Sequence, residues 1–150
     1  MKKMIDYKFY DTCSLLLKVD TLFKSEEKIA ISSITLQELE EIKTSSVKDI
    51  DVKYAARRLL HMLDEHRGCY DVHIFKTEML KPISDKGLPT QSNDMKILAT
   101  AIDYDNNVHP DEVIFVTNDL ALKSIANLFF GDGIIESVSE DEDNYVGYLD

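Results

Sequence analysis

The sequence predicts an α/β domain in three layers, a central parallel sheet with helices on both faces. Two observations carry this. Short apolar runs alternate with stretches of 3.6-residue periodicity along nearly the whole chain. One of these runs, Val113-Ile114-Phe115-Val116, is apolar throughout and stops abruptly at Thr117-Asn118-Asp119. A helical pattern follows at once, with Leu122, Ile125, Ala126 and Phe129 on one face. A strand that is apolar on both sides belongs inside a parallel sheet. Consecutive parallel strands are joined by right-handed crossovers, so the helices between them must cover its faces.

Taken in order, Lys8-Phe9-Tyr10 reads as a first strand ending at Asp11, with a helix from Cys13 to Lys18. Lys28 to Ser33 is a second strand. It runs into Thr35-Leu36-Gln37-Glu38, which has the spacing of a capping box, and a helix continues through Leu39 and Ile42. Asp51 to His66 is the longest helix: Val52, Ala55, Ala56, Leu59, Leu60 and Leu63 form an apolar stripe, and Gly68 ends it. Asp71 to Phe75 is a third strand. Lys76 to Gln91 carries Pro82, Gly87 and Pro89 without a clear period, as a loop that serves as a flap would. Ser92 or Asn93 caps a helix whose core face holds Met95, Leu98 and Ile102, broken by Asn106, Asn107 and Pro110. The fourth strand and its helix follow, and Ile134 to Val138 is a short fifth strand. No repeat, linker or second domain interrupts residues 1–150, so one domain is expected.

The formal net charge of −11 argues against broad, charge-driven nucleic-acid binding, which needs many cations on phosphates. It leaves room for a nucleic-acid enzyme whose acids gather around cations. The run Glu140-Asp141-Glu142-Asp143 reads as a solvated turn or tail. No apolar run approaches the roughly 18 residues of a membrane span, and Met1-Lys2-Lys3-Met4-Ile5-Asp6 lacks the apolar core of a signal peptide. Cys13 and Cys69 stand far apart without CxxC spacing. A reduced, cytoplasmic protein is expected.

Four acids share one address. Asp11, Glu38, Asp94 and Asp119 each fall where a strand hands over to a helix or in a first helical turn. Singly, each reads as a helix cap or a dipole partner. Together they fall on the edge where open α/β sheets bind ligands. Like charges about 4 Å apart cost about 4 kcal/mol per pair at an effective dielectric near 20. Such a cluster stays ionised mainly with cations in it, and carboxylate oxygens without His or Cys suit Mg²⁺ or Mn²⁺. Two ions roughly 3.5–4 Å apart can clamp the attacking and leaving oxygens of a phosphoryl transfer.

Asp11-Thr12 after the first strand, Glu38 in Leu-Gln-Glu-Leu, Asp94 in Asn-Asp-Met-Lys-Ile-Leu-Ala-Thr-Ala and Asp119 in Val-Thr-Asn-Asp resemble the four acidic motifs of PIN-domain ribonucleases. The resemblance spans Tyr10 to Val138. It implies a five-stranded sheet in the order 3-2-1-4-5, Mg²⁺ or Mn²⁺ as cofactor, and cleavage of single-stranded RNA. It also implies that Thr117, two residues before the last acid, orients a metal water. Asn144-Tyr145-Val146-Gly147-Tyr148 is similar to the segment joining a PIN domain to a PhoH-type ATPase, so the chain is expected to be the N-terminal part of a longer protein. An antitoxin-like regulator is the other partner such a family suggests, and a homo-oligomer is compatible with it. Cys13 departs from the Asn that the subgroup often carries, and the sparse basic surface is a second departure.

Thr12, Arg57 and Arg58 are the candidates for substrate contact, although Arg57 and Arg58 read first as a solvated helix face. His61, His66, His73 and His109 show no ligand spacing, and His61 and His66 are expected to be exposed on the long helix. There is no GxxxxGK[ST] loop, dinucleotide fingerprint or GxSxG elbow. Two rivals differ in class. A non-catalytic binding module of the same fold is disfavoured by four intact acids. A receiver-like phosphoacceptor needs an Asp after the third strand and a Lys after the fifth, where this chain has Ile74-Phe75-Lys76 and Ser137-Val138-Ser139.

Overall fold

A computed structural model of the protein describes residues 7–24, 27–108, 113–130 and 135–136. Strands β1 (Tyr7–Tyr10), β2 (Lys28–Ser32), β3 (Tyr70–His73) and β4 (Val113–Val116) form a parallel sheet in the order β3-β2-β1-β4. The expected fifth strand is reduced to β5, Ile135–Glu136, which pairs with Phe115 and Val116 at the outer edge of β4. The rest of Ile134 to Val138, the acidic run 140–143 and the segment 144–148 lie outside the described residues.

Alternation of side chains across the sheet builds two cores. Phe9, Ala30, Val113 and Phe115 point to one face, where α5 (Asn93–Asp103) and α6 (Leu120–Phe130) cover them with Ile97, Leu98, Ala101, Leu122 and Ala126. Tyr10, Ile29, Ile31 and Val116 point to the other, beneath α1 (Thr12–Leu17), α2 (Ser33–Thr44) and α3 (Ile50–Glu65). The α3 stripe read from the sequence is the buried one: Val52, Ala55, Ala56, Leu59 and Leu63. Phe9 and Phe115 are fully buried, each contributing about 1.5–3 kcal/mol by removal from water.

Three expectations change. Helix α2 starts at Ser33, because the Ser32 hydroxyl accepts the Ile34 N–H at 3.1 Å. Thr35 and Glu38 therefore sit inside the helix and form no capping box. The segment 76–91 is not an irregular loop: it holds a 3₁₀ turn (Thr77–Leu80) and α4 (Lys81–Asp85). Ile83 is fully buried, and Met79, Leu80 and Leu88 pack on the same core. His66 caps the end of α3 and stacks on Phe23 with ring centroids 4.2 Å apart, so it is half-buried, whereas His61 is exposed as expected. At the turn after α3, Gly68 has φ +87°, which explains why glycine ends the helix. No helix among the described residues is long and apolar enough to cross a membrane.

Candidate metal and nuclease site

β1 lies beside β4 at the centre of the sheet, and the helices that follow these two strands, α1 and α6, go to opposite faces. This is the switch point at which open α/β sheets form a crevice. Tyr10 pairs with Val116, and the Asp11 N–H donates to the Val116 carbonyl at 3.1 Å. Asp11 and Thr117 are therefore neighbours across the strand ends. The Thr117 hydroxyl is fully buried; it accepts the Asp119 N–H at 3.1 Å and bonds the Asp11 side chain. It thereby links the two acids at the strand ends.

Asp11 and Asp119 do act as helix caps. Asp11 Oδ1 accepts the Ser14 N–H at 2.9 Å, and Asp119 Oδ1 accepts the Leu122 N–H at 3.0 Å. A carboxylate has about four lone-pair sites, so capping uses only part of each. Asp94 lies in the first turn of α5, which is capped by Ser92 instead. Glu38 is held from both sides: Thr12 Oγ1 donates to Oε1 at 2.5 Å and Asn93 Nδ2 to Oε2 at 3.1 Å. Thr12 Oγ1 also lies 3.1 Å from the fully buried Thr35 hydroxyl. Thr12 therefore fixes Glu38 rather than standing free for substrate.

All four acids line one cleft of about 340 Å³, with Thr12, Cys13 and Leu16 on one side and Ile42, Ser45, Lys48 and Val52 on the other. A fifth acid, Glu41, joins them. It sits one turn beyond Glu38, an i, i+3 relation that the sequence offered and the four-motif pattern passed over. Asn93 and Lys48 were also missed. Of the basic candidates, Arg58 is paired with Asp20, and Arg57 lines a separate groove with Lys43, Leu60, His61 and Asp64.

The electrostatics report the convergence. Asp94 is pushed up to about 6, first by burial of its carboxyl against the cleft wall and then by Asp11, Asp119 and Glu38. Asp11, 4% exposed, is raised by burial, with Asp119 adding to the rise and the bonds from Thr117 and Ser14 opposing it. Cys13 reaches solvent at the cleft mouth, yet the atoms packed around its sulfur and the four carboxylates push its thiol up to about 12. The four acids themselves offer oxygen donors, the set for a hard cation. Among the described residues no group of three or more His, Cys, Asp or Glu is placed closely enough to hold a metal ion by itself. The carboxylate oxygens that line the cleft are donors of the kind an Mg²⁺-like ion takes, one or two directly and the rest through waters.

A parallel sheet with carboxylates gathered at its switch point is an α/β architecture with an acidic cleft at the edge where such sheets bind ligands. A family model described as a PIN domain matches residues 9–129, most of the chain. The chain belongs to the PIN-domain family, a family of nucleases. The match is to the PIN domain at large and does not single out the PhoH-associated subgroup. Among solved structures the chain is similar to one in the crystal structure of VapBC2 from Rickettsia felis bound to a DNA fragment from their promoter. The TM-score is 0.55 at 19% identity, covering 89% of this chain and 99% of that one, a likeness of fold. No curated protein matches the sequence.

Proposed function

We propose that this protein is a metal-dependent endoribonuclease that cuts single-stranded RNA, with Asp11, Glu38, Asp94 and Asp119 as its metal-holding acids. The observation that carries the reading is the meeting of these acids, from four separate segments of the chain, in one cleft at the switch point. Mg²⁺ or Mn²⁺ held there, as a pair in the two-ion scheme, would lower the pKa of water and screen the charge that develops on the phosphodiester and on the departing oxygen.

The chain's own residues do the rest. Asp11 and Asp119, fixed by helix starts and joined through Thr117, present oxygens whose positions are set by backbone. Thr12 and Asn93 hold Glu38 toward them. Water attacks phosphorus, the bond to the 3′ oxygen breaks, and the products carry a 5′-phosphate and a 3′-hydroxyl. The 2′-hydroxyl takes no part, so single-stranded DNA is cut slowly as well. We also propose an antitoxin-like protein as regulator of the cleft; the likeness to a chain of VapBC2 is the reason to look for one.

The test is incubation with end-labelled single-stranded RNA in Mn²⁺ or in EDTA, with sequencing of the product ends. Cleavage in Mn²⁺ alone, leaving 5′-phosphates, is expected. Cyclic 2′,3′-phosphate ends would overturn the mechanism. RNA binding without cleavage in any divalent metal would favour a non-catalytic module of the same fold.

A further inference from the structure

The acidic cleft does not end at its acids. Its far wall is the corner between α2 and α3, where Ser45, Lys48 and Val52 line it. Ser45 caps this corner by accepting the N–H groups of Val47 and Lys48 at 3.1 and 3.2 Å, so the short connection is ordered. From there α3 carries an exposed stripe. Ile50, Tyr54, Arg57 and His61 stand at i, i+4, i+7 and i+11 and so share one face over about 16 Å. Ile50 is 72% exposed and Tyr54 58%. Lys53 borders the stripe one turn before Arg57. Arg57 also opens into the neighbouring groove of about 320 Å³ between α2 and α3.

The chain carries a net charge of −11, and several of its cations are tied to the acids around them. Lys43 is paired with Glu40, Arg58 with Asp20, Arg67 with Asp64 and Lys81 with Asp85. Lys48, Lys53 and Arg57 form no ion pair among the described residues, a property they share with Lys28, Lys76 and Lys96; what sets the three apart is that they follow one another along the α2–α3 corner from the cleft. Asp49 and Asp51 flank the helix start, but Asp51 projects about 90° away from the stripe at 100° per residue. Three unpaired cations, an exposed tyrosine face and an exposed isoleucine thus lead away from a cleft lined by carboxylates. A polyanion that also offers flat apolar faces matches this surface: cations track its backbone while aromatic rings stack its bases.

We infer that the α2–α3 corner is the path of single-stranded RNA beyond the cut, with Lys48, Lys53 and Arg57 on phosphates and Tyr54 stacked on a base. The inference rests on the ribonuclease reading for the position of the cut. It also answers the sparse basic surface, since a strand needs only a narrow track.

The test uses fluorescence anisotropy of labelled oligo(U), a 4-mer and a 12-mer, on the full chain carrying Asp119→Asn with Mn²⁺ present. Cleavage of the same oligomers by the unaltered chain is followed separately and reports on the ribonuclease reading alone. The 12-mer is expected to bind more tightly than the 4-mer. Lys53→Ala with Arg57→Ala should remove that advantage and lower the slope of log affinity against log salt by about 1.4, two phosphate contacts at about 0.7 each. Tyr54→Ala should weaken the 12-mer about fivefold or more with the salt slope unchanged. Unchanged melting temperatures establish that these exposed substitutions leave the fold intact. The proposal is overturned if the variants bind the 12-mer like their parent, even where the unaltered chain cuts RNA. It is also overturned if a poly-glutamate peptide displaces the 12-mer and Tyr54→Ala has no effect, because the surface then serves acidic polypeptides. Binding that follows the expected pattern without any cleavage supports the path and refutes the nuclease reading.

Discussion

Two connecting segments make an instructive pair. Residues 76–91 are numerous, carry Pro82, Gly87 and Pro89, and are pinned by a few apolar side chains: Ile83 is fully buried and Met79, Leu80 and Leu88 lie on the core, while most of the rest is exposed. Residues 45–49 are few, contain neither proline nor glycine, and stand exposed against the acidic cleft, with Val47 at 89% exposure. The longer segment has the composition of a functional loop and serves stability. The shorter one has the composition of a plain turn and meets the proposed site. Position relative to the carboxyl edge of the sheet separates them, and composition does not.

The sharpest way to test that division is to neutralise the acids on the edge itself. Asp11→Asn and Asp119→Asn should each lower RNA cleavage by more than about a hundredfold, exceeding the loss usual for outer-shell partners, while both proteins stay folded. Full activity in Asp11→Asn, measured at saturating Mn²⁺, sinks the metal assignment.

Next comes Ile83→Ala in the longer segment. It should cost about 2–5 kcal/mol in denaturant unfolding, because a fully enclosed side chain leaves a cavity. Cleavage per folded molecule should stay at the parent level. A stable Ile83→Ala protein with impaired cleavage would favour the flap reading and break the contrast between the segments.

The third measurement needs no substrate. In EDTA, Asp11→Asn should melt higher than the parent: Asn caps about as well as Asp, so only the repulsion and the buried charge are lost. At 100 times its dissociation constant Mn²⁺ should add about 2.7 kcal/mol to the parent. That corresponds to about 5–10 °C for a chain of this size. The gain should shrink in the variant. Equal responses of the two proteins in thermal melts would reduce the acids to caps.

The smallest effect is a pH trend. Asp94 is raised in the fold from 3.8 to about 6, so its contribution is fully present below about pH 4 and is lost as pH rises through 6. Asp11 shifts in the same direction. Without metal, the melting temperature of the parent relative to Asp94→Asn should therefore fall between pH 4 and 6.5, modestly, since the Asp94 residue is exposed to solvent and screened by it. A difference that grows with pH would refute the crowding of the acids.

Much of this was legible in the chain. Val113 to Asp119 marks a central strand and its exit because apolar runs and helix starts are local signals. Two acids at strand ends and two in the first turns or on the inner face of neighbouring helices share an edge by topology alone, so Asp11, Glu38, Asp94 and Asp119 could be named without coordinates. What stayed hidden depends on which neighbour a side chain meets. The pattern Thr35 to Glu38 offers a local cap, but Thr12 and Asn93 compete for Glu38 from elsewhere in the chain. Met79, Leu80 and Ile83 are too short a periodic run to outweigh Pro82 on paper, yet Pro82 sits at the start of α4, where proline is tolerated. Lys48 carries no motif at all; only the folding of α2 against α3 brings it to the cleft.

The double use of Asp11 and Asp119, each holding a helix start with one oxygen while facing the cleft, has an evolutionary consequence. Aspartate and asparagine codons differ by a single first-base transition. Asparagine keeps the cap and discards the charge, so the change should silence the chemistry while sparing the architecture. On the nuclease reading, a folded, RNA-holding and non-cutting relative therefore lies one nucleotide change away at either position. Lineages that need a decoy or a tether in place of a blade can reach one without passing through an unfolded ancestor.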